Sequence, residues 1–215
     1  MASFSRSNPL ALAVLCCLLE RPMHPYEVSQ TLRERAKDES IRLNFGSLYA
    51  VVDRLEAKHL IRARETVRAG RRPERTIYEI TDIGRQEMTD WLTNLIMEPA
   101  KEYPQFEAGL TLMPALAPDE AKAALQRRIV ALEMRLTQSR AMREQAQRMG
   151  LPRLFDLEGE YAEAMLVAEL QFVRSLVAEI DKEALGGLAE WRSWHAGALD
   201  DVRWFPSDEG DDARQ

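Results

Sequence analysis

Residues 47–84 read SLYAVVDRLEAKHLIRARETVRAGRRPERTIYEITDIG, and a change of period inside this stretch decides the fold. Leu48, Val51, Val52 and Leu55 recur at i, i+3, i+4 and i+7, one apolar stripe of a helix. The opposite face shows Ser47, Tyr49, Ala50, Asp53, Arg54 and Lys58. This helix ends near His59, and Leu60-Ile61 returns the chain to the core. From 61 to 67 the period drops to two, with Arg62, Arg64 and Thr66 alternating with apolar or small residues. Ala69-Gly70-Arg71-Arg72-Pro73 is a turn, and 76–80 is rich in β-formers, so the pair predicts a hairpin with arginines at its tip. Thr81 caps the next helix, in which Ile83, Met88, Trp91, Leu92, Leu95 and Ile96 are expected to face inward; Glu98-Pro99 ends it.

Upstream, Asn8-Pro9 opens a helix in the cap-then-proline manner, with Leu10, Val14, Cys17 and Leu18 at helical spacing and Pro22 closing it. His24-Pro25 opens a second helix, with Tyr26, Val28 and Leu32 expected inward and an end near Lys37-Asp38. Asn44-Phe45-Gly46-Ser47 is expected to cap the third. Three helices, a hairpin and a further helix are the order of a winged helix-turn-helix. The physics behind that order is plain. A major groove about 12 Å wide admits one helix, which must bury one stripe and present short polar or aromatic residues on the other. Arginines on the hairpin then lie along adjacent phosphates or reach a minor groove.

Downstream the chain reads as almost purely helical. A short helix is expected near 106–113, and a long one opens at Pro118-Asp119-Glu120, with Leu125, Ile129, Leu132 and Leu136 inward. Gly150-Leu151-Pro152 breaks it. A second long helix is expected over 159–184, where Leu166, Leu170, Val173, Val177 and Ile180 step 4, 3, 4, 3, the heptad spacing of a seam between helices. Gly186-Gly187 ends it, and a short helix carries Trp191 and Trp194. Met134, Met142, Met149 and Met165 read as core packing, with an adaptable pocket as the competing reading. The expected organisation is therefore mainly α: a winged helix-turn-helix domain with a two-stranded wing at 1–98, a linker at 99–104, an all-helical dimerisation domain at 105–199, and an acidic frayed tail at 200–215.

The chain has 215 residues, 46% hydrophobic and 30% charged, with a net charge of −6. That balance is globular and excludes a protein that coats nucleic acid over its whole surface. The charge is unevenly placed: residues 1–90 carry +2 and the rest −8. Six arginines fall between 62 and 75 (62, 64, 68, 71, 72 and 75), against Glu65 and Glu74. Cys16 and Cys17 stand side by side in an apolar run, which is no disulfide framework and no metal spacing, so they read as reduced core thiols in a cytoplasmic protein. That run, 10–19, is half the length of a membrane span. His24, His59 and His195 are isolated, and no phosphate-binding glycine loop, nucleophile triad or paired-acid signature occurs, so no catalytic, cofactor or metal site is expected.

Pro25-Tyr26-Glu27, Gly46-Ser47-Leu48-Tyr49 with Leu55-Glu56, Arg72-Pro73 and Tyr78-Glu79-Ile80-Thr81-Asp82-Ile83-Gly84-Arg85 resemble the PadR family of bacterial transcription regulators over roughly residues 9–97. The remainder of the chain resembles the longer subgroup, with a helical dimerisation half. The resemblance implies a homodimer binding double-stranded operator DNA, usually a repressor, often released by a small aromatic or hydrophobic ligand. His59 and Pro25 depart from the family, which often has Gly at both places; the turn at 59 then needs a residue that tolerates positive φ.

On these grounds Ser47, Tyr49, Arg54 and Lys58 are the expected groove and phosphate contacts, and Arg71, Arg72 and Arg75 the wing. Leu166, Leu170, Val173, Val177 and Ile180 are the expected dimer seam. Competing readings remain for three of them: Tyr49 as a packing residue, Arg54 paired with Glu20 or Asp53, and Arg75 paired with Glu74 or Glu79. The other function class is a helical interaction protein whose winged domain contacts protein or RNA; the arginine hairpin favours DNA. Effector residues, operator and regulated genes are not readable from the chain.

Overall fold

The computed structural model describes residues 8–37, 41, 45–67 and 75–197. Asn44, the wing tip with Arg71 and Arg72, and the tail at 200–215 lie outside the described residues. Within these limits the chain is mainly α, with eight α-helices and one two-stranded antiparallel sheet, in two compact units, Met1–Glu102 and Tyr103–Gln215. No helix among the described residues is long and apolar enough to cross a membrane.

The first unit is built around α1 (Pro9–Glu20), whose buried residues Leu10 to Leu15, Cys17 and Leu18 leave little of it to solvent. Asn8 starts it, its side-chain oxygen accepting from the Leu10 N–H at 3.1 Å. Helices α2 (Pro25–Glu34), α3 (Phe45–Ala57) and α4 (Asp82–Met97) pack around it with the sheet of β1 (Ile61–Val67) and β2 (Arg75–Ile80). Burial, reinforced by Glu20, raises the Cys17 thiol to about 11, and Cys16 is also raised. Both are free thiols, and at neutral pH they stay protonated.

Three of the helix starts read from the sequence have a visible mechanism. The His24 Nδ1 accepts from the Tyr26 N–H at 3.1 Å while the Glu27 carboxylate accepts from the His24 N–H at 2.8 Å, a reciprocal capping box. The Arg35 guanidinium donates to both Glu20 oxygens at 2.5 and 2.7 Å, tying the end of α2 to the end of α1. Thr81 caps α4: its Oγ1 accepts from the Gly84 N–H at 3.0 Å and lies 2.7 Å from the His59 carbonyl.

The turn after α3 takes the form the His59 departure requires. His59 has φ 58°, with its N–H donating to the Glu56 carbonyl and the Leu60 N–H to that of Leu55. This is a Schellman closure with histidine in the place glycine usually takes. β1 and β2 then pair from Ile61 opposite Ile80 to Val67 opposite Arg75, with Arg64 as the extra residue of a bulge between Ala63 and Glu65. Met23 adds a short third rung, exchanging both backbone hydrogen bonds with Tyr78 at 3.0 Å.

Two inward assignments are corrected. Tyr26 is exposed: it lies two residues before the buried Val28, about 200° around the helix. In α4 only Gly84, Met88 and Trp91 are buried, while Ile83, Leu92, Leu95 and Ile96 are exposed. The last turn of α4 extends past the core, which an apolar pattern alone does not reveal.

The second unit is a helical hairpin with smaller helices attached. α5 (Gln105–Leu112) leads through a 3₁₀ turn to α6 (Pro118–Arg148), whose 31 residues span about 46 Å. A second 3₁₀ turn leads to α7 (Leu157–Asp181), and α8 (Leu188–His195) follows. The Arg128 guanidinium sits 3.7 Å from the Phe106 ring centroid, holding α5 on α6. Trp191 Nε1 donates to the Pro114 and Leu116 carbonyls at 3.0 and 2.9 Å, holding α8 beside the start of α6.

The heptad seam is intramolecular. Leu170, Val173, Val177 and Ile180 are buried, and Leu166 half-buried, against Ala121, Leu125, Leu132 and Leu136 of α6 in the same chain. Their assignment as the contact between two copies is corrected, because heptad spacing marks a seam without saying which chain supplies the other helix. Ion pairs flank it: Lys122 with Asp181 at 3.0 Å, Arg128 with Glu169 at 2.5 Å, Glu133 with Arg174, and Arg140 with Glu163 at 2.8 Å. Arg143 closes the far end on Glu163 at 2.5 Å and Asp156 at 2.9 Å, hydrogen bonds that raise the Arg143 pKa, while those from Arg140 and then Arg143 lower the Glu163 pKa. Met134, Met142, Met149 and Met165, read as core, are exposed.

A Cβ on Gly84 would stand 2.0 Å from the Leu60 carbonyl oxygen, a backbone atom that cannot swing away. Gly84→Ala is therefore expected to destabilise the first unit by about 2–3 kcal/mol. Thr81→Val, which removes the cap, is expected to lower stability by ~1 kcal/mol. Denaturant unfolding followed by circular dichroism measures both, and a wild-type midpoint for Gly84→Ala would contradict the close approach.

Candidate nucleic-acid interface

The buried stripe of α3, Leu48, Val51, Val52 and Leu55, leaves the opposite face to solvent. At the centre of that face stand three small residues, Gly46, Ala50 and Ala57, and Asp53, all exposed. The small residues let a helix backbone come close to whatever it faces. On one edge is Tyr49, 45% exposed; on the other are the half-buried Ser47 and the exposed Arg54 and Lys58.

Tyr49 projects from the fold rather than packing within it. Arg54 does not take Glu20, which Arg35 occupies; its Nε donates to the Ala50 carbonyl one turn back, at 3.1 Å. The guanidinium therefore lies along the outward face of its own helix. Arg75, at the start of β2, is exposed, and its charge contributes to lowering the His24 pKa. A wing residue and the cap of α2 are thus neighbours. Glu79 pairs with Arg62 and Arg64. Arg71 and Arg72 lie outside the described residues.

The sequence reading missed that Tyr78 and Glu56 are neighbours. Tyr78, packed against the core from the sheet, lies near the Glu56 carboxylate at the end of α3. Burial, with the charges of Glu56 and Asp53, raises its pKa, so the phenol remains a donor at neutral pH. Both residues belong to the motifs that carry the family resemblance, but only the tertiary structure brings them together.

No group of three or more His, Cys, Asp or Glu among the described residues could hold a metal ion. A recess at the α6–α7 turn, lined by Ala146, Gln147, Leu151, Arg153, Asp156 and Glu160, is charged and unlike a pocket for an apolar effector.

Residues 14–90 match the family described as Transcriptional regulator PadR-like family. A curated relative, an uncharacterised 37.1 kDa protein in transposon TN4556 of Streptomyces fradiae, is 38% identical over 60 residues, which are 28% of this chain and 16% of that protein. The chain thus matches about a sixth of that relative's length. Among solved structures, Bacillus subtilis PadR in complex with operator DNA superposes with a TM-score of 0.67 at 19% identity, covering 80% of this chain and 99% of that one. The same protein in complex with p-coumaric acid gives 0.65 at 18% identity, covering 80% and 98%. The Vibrio cholerae virulence activator AphA gives 0.60 at 15% identity, covering 81% and 99%. At these identities the likeness is one of fold, and it extends through the helical unit as well as the winged one.

Burial, then the Arg75 charge, lowers the His24 pKa below its usual 6.5, against an opposing effect of Glu27. The cap needs the neutral ring, whose Nδ1 accepts. Below pH 6.5 the unfolded chain takes up a proton that the folded chain still refuses, so stability is full above that pH and falls as the pH drops through the lowered value. Urea unfolding between about pH 5 and 7.5 is expected to show this loss in wild type and less of it in His24→Asn, since asparagine caps without titrating there. Equal pH dependence in the two proteins would remove His24 from the account.

Proposed function

We propose that this chain, whose residues 14–90 match the PadR-like family of transcriptional regulators, is a homodimeric repressor binding an inverted-repeat operator through α3 and the wing. One observation carries the DNA-facing surface: α3 exposes a centre of small residues and Asp53 with Ser47, Arg54 and Lys58 along one edge and Tyr49 along the other, in the unit that also carries the arginine hairpin. Arg54 suits a phosphate or a guanine, Lys58 a phosphate, and the hydroxyls of Ser47 and Tyr49 either a phosphate or a base edge. Arg71, Arg72 and Arg75 serve as backbone contacts of the wing. The operator complex of B. subtilis PadR supports this reading. The sign of regulation rests on family habit, and the AphA likeness shows that the fold also serves a protein described as an activator. Release by a small aromatic or hydrophobic molecule is supported by the p-coumaric acid complex of B. subtilis PadR.

The dimer contact moves from the α7 seam to the outward faces of the hairpin. On α6, Val130, Met134, Ala141 and Met142 share an exposed face with Thr137, Gln138 and Gln145, and no charge falls on it between Arg127 and Arg148. On α7, Tyr161, Met165, Ala168 and Phe172 form a similar exposed stripe. Met134 is 68% exposed, Tyr161 69% and Phe172 52%. Charge depletion with methionine and aromatic enrichment is the composition of an interface core. Two winged units on a two-fold axis then meet major grooves about 10 base pairs apart or a multiple of it.

Met134→Glu with Phe172→Glu is expected to yield folded monomers in sedimentation. Leu170→Glu, in the intramolecular seam, is expected to unfold the hairpin instead. A folded double variant of wild-type mass, or a wild type already monomeric at micromolar concentration, would overturn the dimer surface. For DNA, Arg71→Ala with Arg72→Ala removes about four phosphate contacts from a dimer and should flatten log K against log salt by roughly 3–4 units. Ser47→Ala with Tyr49→Phe should weaken operator binding with little change of slope. An unchanged affinity and slope for the wing variant would leave the arginine hairpin a solvated surface.

A further inference from the structure

The bulged sheet of the wing carries an acid where a DNA-binding face would do better without one. Strand register puts Arg62, Glu79 and Arg75 on the outer face, away from Tyr78 and the core. Arg62 stands directly opposite Glu79, and its Nε and a terminal nitrogen both reach Glu79 Oε1 at 2.7 Å. Arg64, the extra residue of the bulge, brings a guanidinium nitrogen within 3.9 Å of Glu79 Oε2. One carboxylate therefore answers two arginines. It is also the more deeply set group: the Glu79 side chain is 24% exposed against 71% and 56% for Arg62 and Arg64, which lie over it.

We propose that Glu79 is a built-in competitor for phosphate, holding Arg62 and Arg64 so that these two arginines, unlike those at the tip, add little affinity for DNA of arbitrary sequence. The proposal rests on the DNA-binding reading of α3 and the wing and concerns how that surface is tuned. An arginine that leaves Glu79 for a phosphate exchanges one anion for another, and an exposed ion pair and an exposed phosphate contact are of comparable strength. The exchange gains little, and it exposes a carboxylate beside the DNA backbone. Specificity is a difference of affinities, and lowering the sequence-independent part widens that difference without any new base contact. Arg75, itself assigned to the wing contact, lies on the same face of β2 as Glu79, so the ion pairs share a face with a proposed DNA contact.

The test measures binding of the full chain to a mixed-sequence duplex of about 30 base pairs across a range of salt. Glu79→Gln keeps the shape of the side chain and removes its charge. It is expected to bind this duplex roughly three- to tenfold more tightly at low salt, with a slope steeper by up to about two units per subunit. In an Arg62→Ala/Arg64→Ala background the same change should have almost no effect. Arg62→Ala with Arg64→Ala alone, with Glu79 intact, should alter the slope by less than about one unit per subunit, because those arginines are already occupied. This last arm needs no Glu79 variant to fold. Unchanged binding by Glu79→Gln, an equal gain in the alanine background, or a large loss on removing the two arginines alone would each overturn the proposal while leaving DNA binding standing. A wild type without salt-dependent duplex binding would overturn the DNA-binding reading, and this proposal with it.

Discussion

At Gly84 the backbone of α4 comes so close to the Leu60 carbonyl that no side-chain carbon fits between them, and four elements meet at that point. Leu60 closes the turn after α3 and leads into β1. Thr81 follows β2 and starts α4. The Thr81 N–H donates to the Leu60 carbonyl at 3.0 Å, and its hydroxyl links the Gly84 N–H to the His59 carbonyl. The end of the helix with the outward-facing tyrosine and basic residues, both roots of the wing and the start of the next helix are thus fixed by one small knot of backbone. The proximity of Tyr78 to the Glu56 carboxylate marks a second place, a few residues away, where the sheet lies close to α3. The relative placement of α3 and the hairpin, which any grip on a duplex requires, follows from these ties together with the close packing of Leu48, Val51, Val52 and Leu55 in the core.

The helical unit is organised differently. Its α6–α7 hairpin is closed by apolar side chains along the middle and by ion pairs along the flanks. Because that seam is satisfied within one chain, the hairpin enters any assembly as a finished body. What it leaves exposed are the outward faces of the two helices, with Val130, Met134 and Met142 on α6 and Tyr161, Met165 and Phe172 on α7. Exposed apolar surface of this kind is characteristic of contact sites.

Charge distribution separates the two units as clearly as packing does. The chain as a whole is acidic, yet six arginines fall within the fourteen residues from 62 to 75. Several arginines elsewhere are consumed internally: Arg35 by Glu20, Arg143 by Asp156 and Glu163, Arg153 by Glu160. Formal charge is therefore a poor guide to available charge, and the wing shows the same effect on a smaller scale through Glu79.

The order of elements, their caps and most of the buried stripe are legible in the chain before it folds. Leu48 to Leu55 repeats at helical spacing, 61–67 alternates, and Thr81 and His24 are capping residues whose effect is confined to one turn of chain. These signals are local, so they survive in one dimension. The unusual demand on His59 is visible in the same way, since a turn of that kind needs positive φ whatever surrounds it. Which apolar residues have partners is settled only in three dimensions. Leu92, Leu95 and Ile96 continue the pattern of α4 but run past the core. Met134 and Phe172 are as apolar as Leu132 and Val173 yet face outward. The heptad of α7 is closed by its own chain. The sharing of Glu79 by two arginines and the meeting of Tyr78 with Glu56 were equally hidden. Periodicity reports that a side chain lies on a given face of its own helix or strand; what stands opposite that face depends on residues far away along the chain.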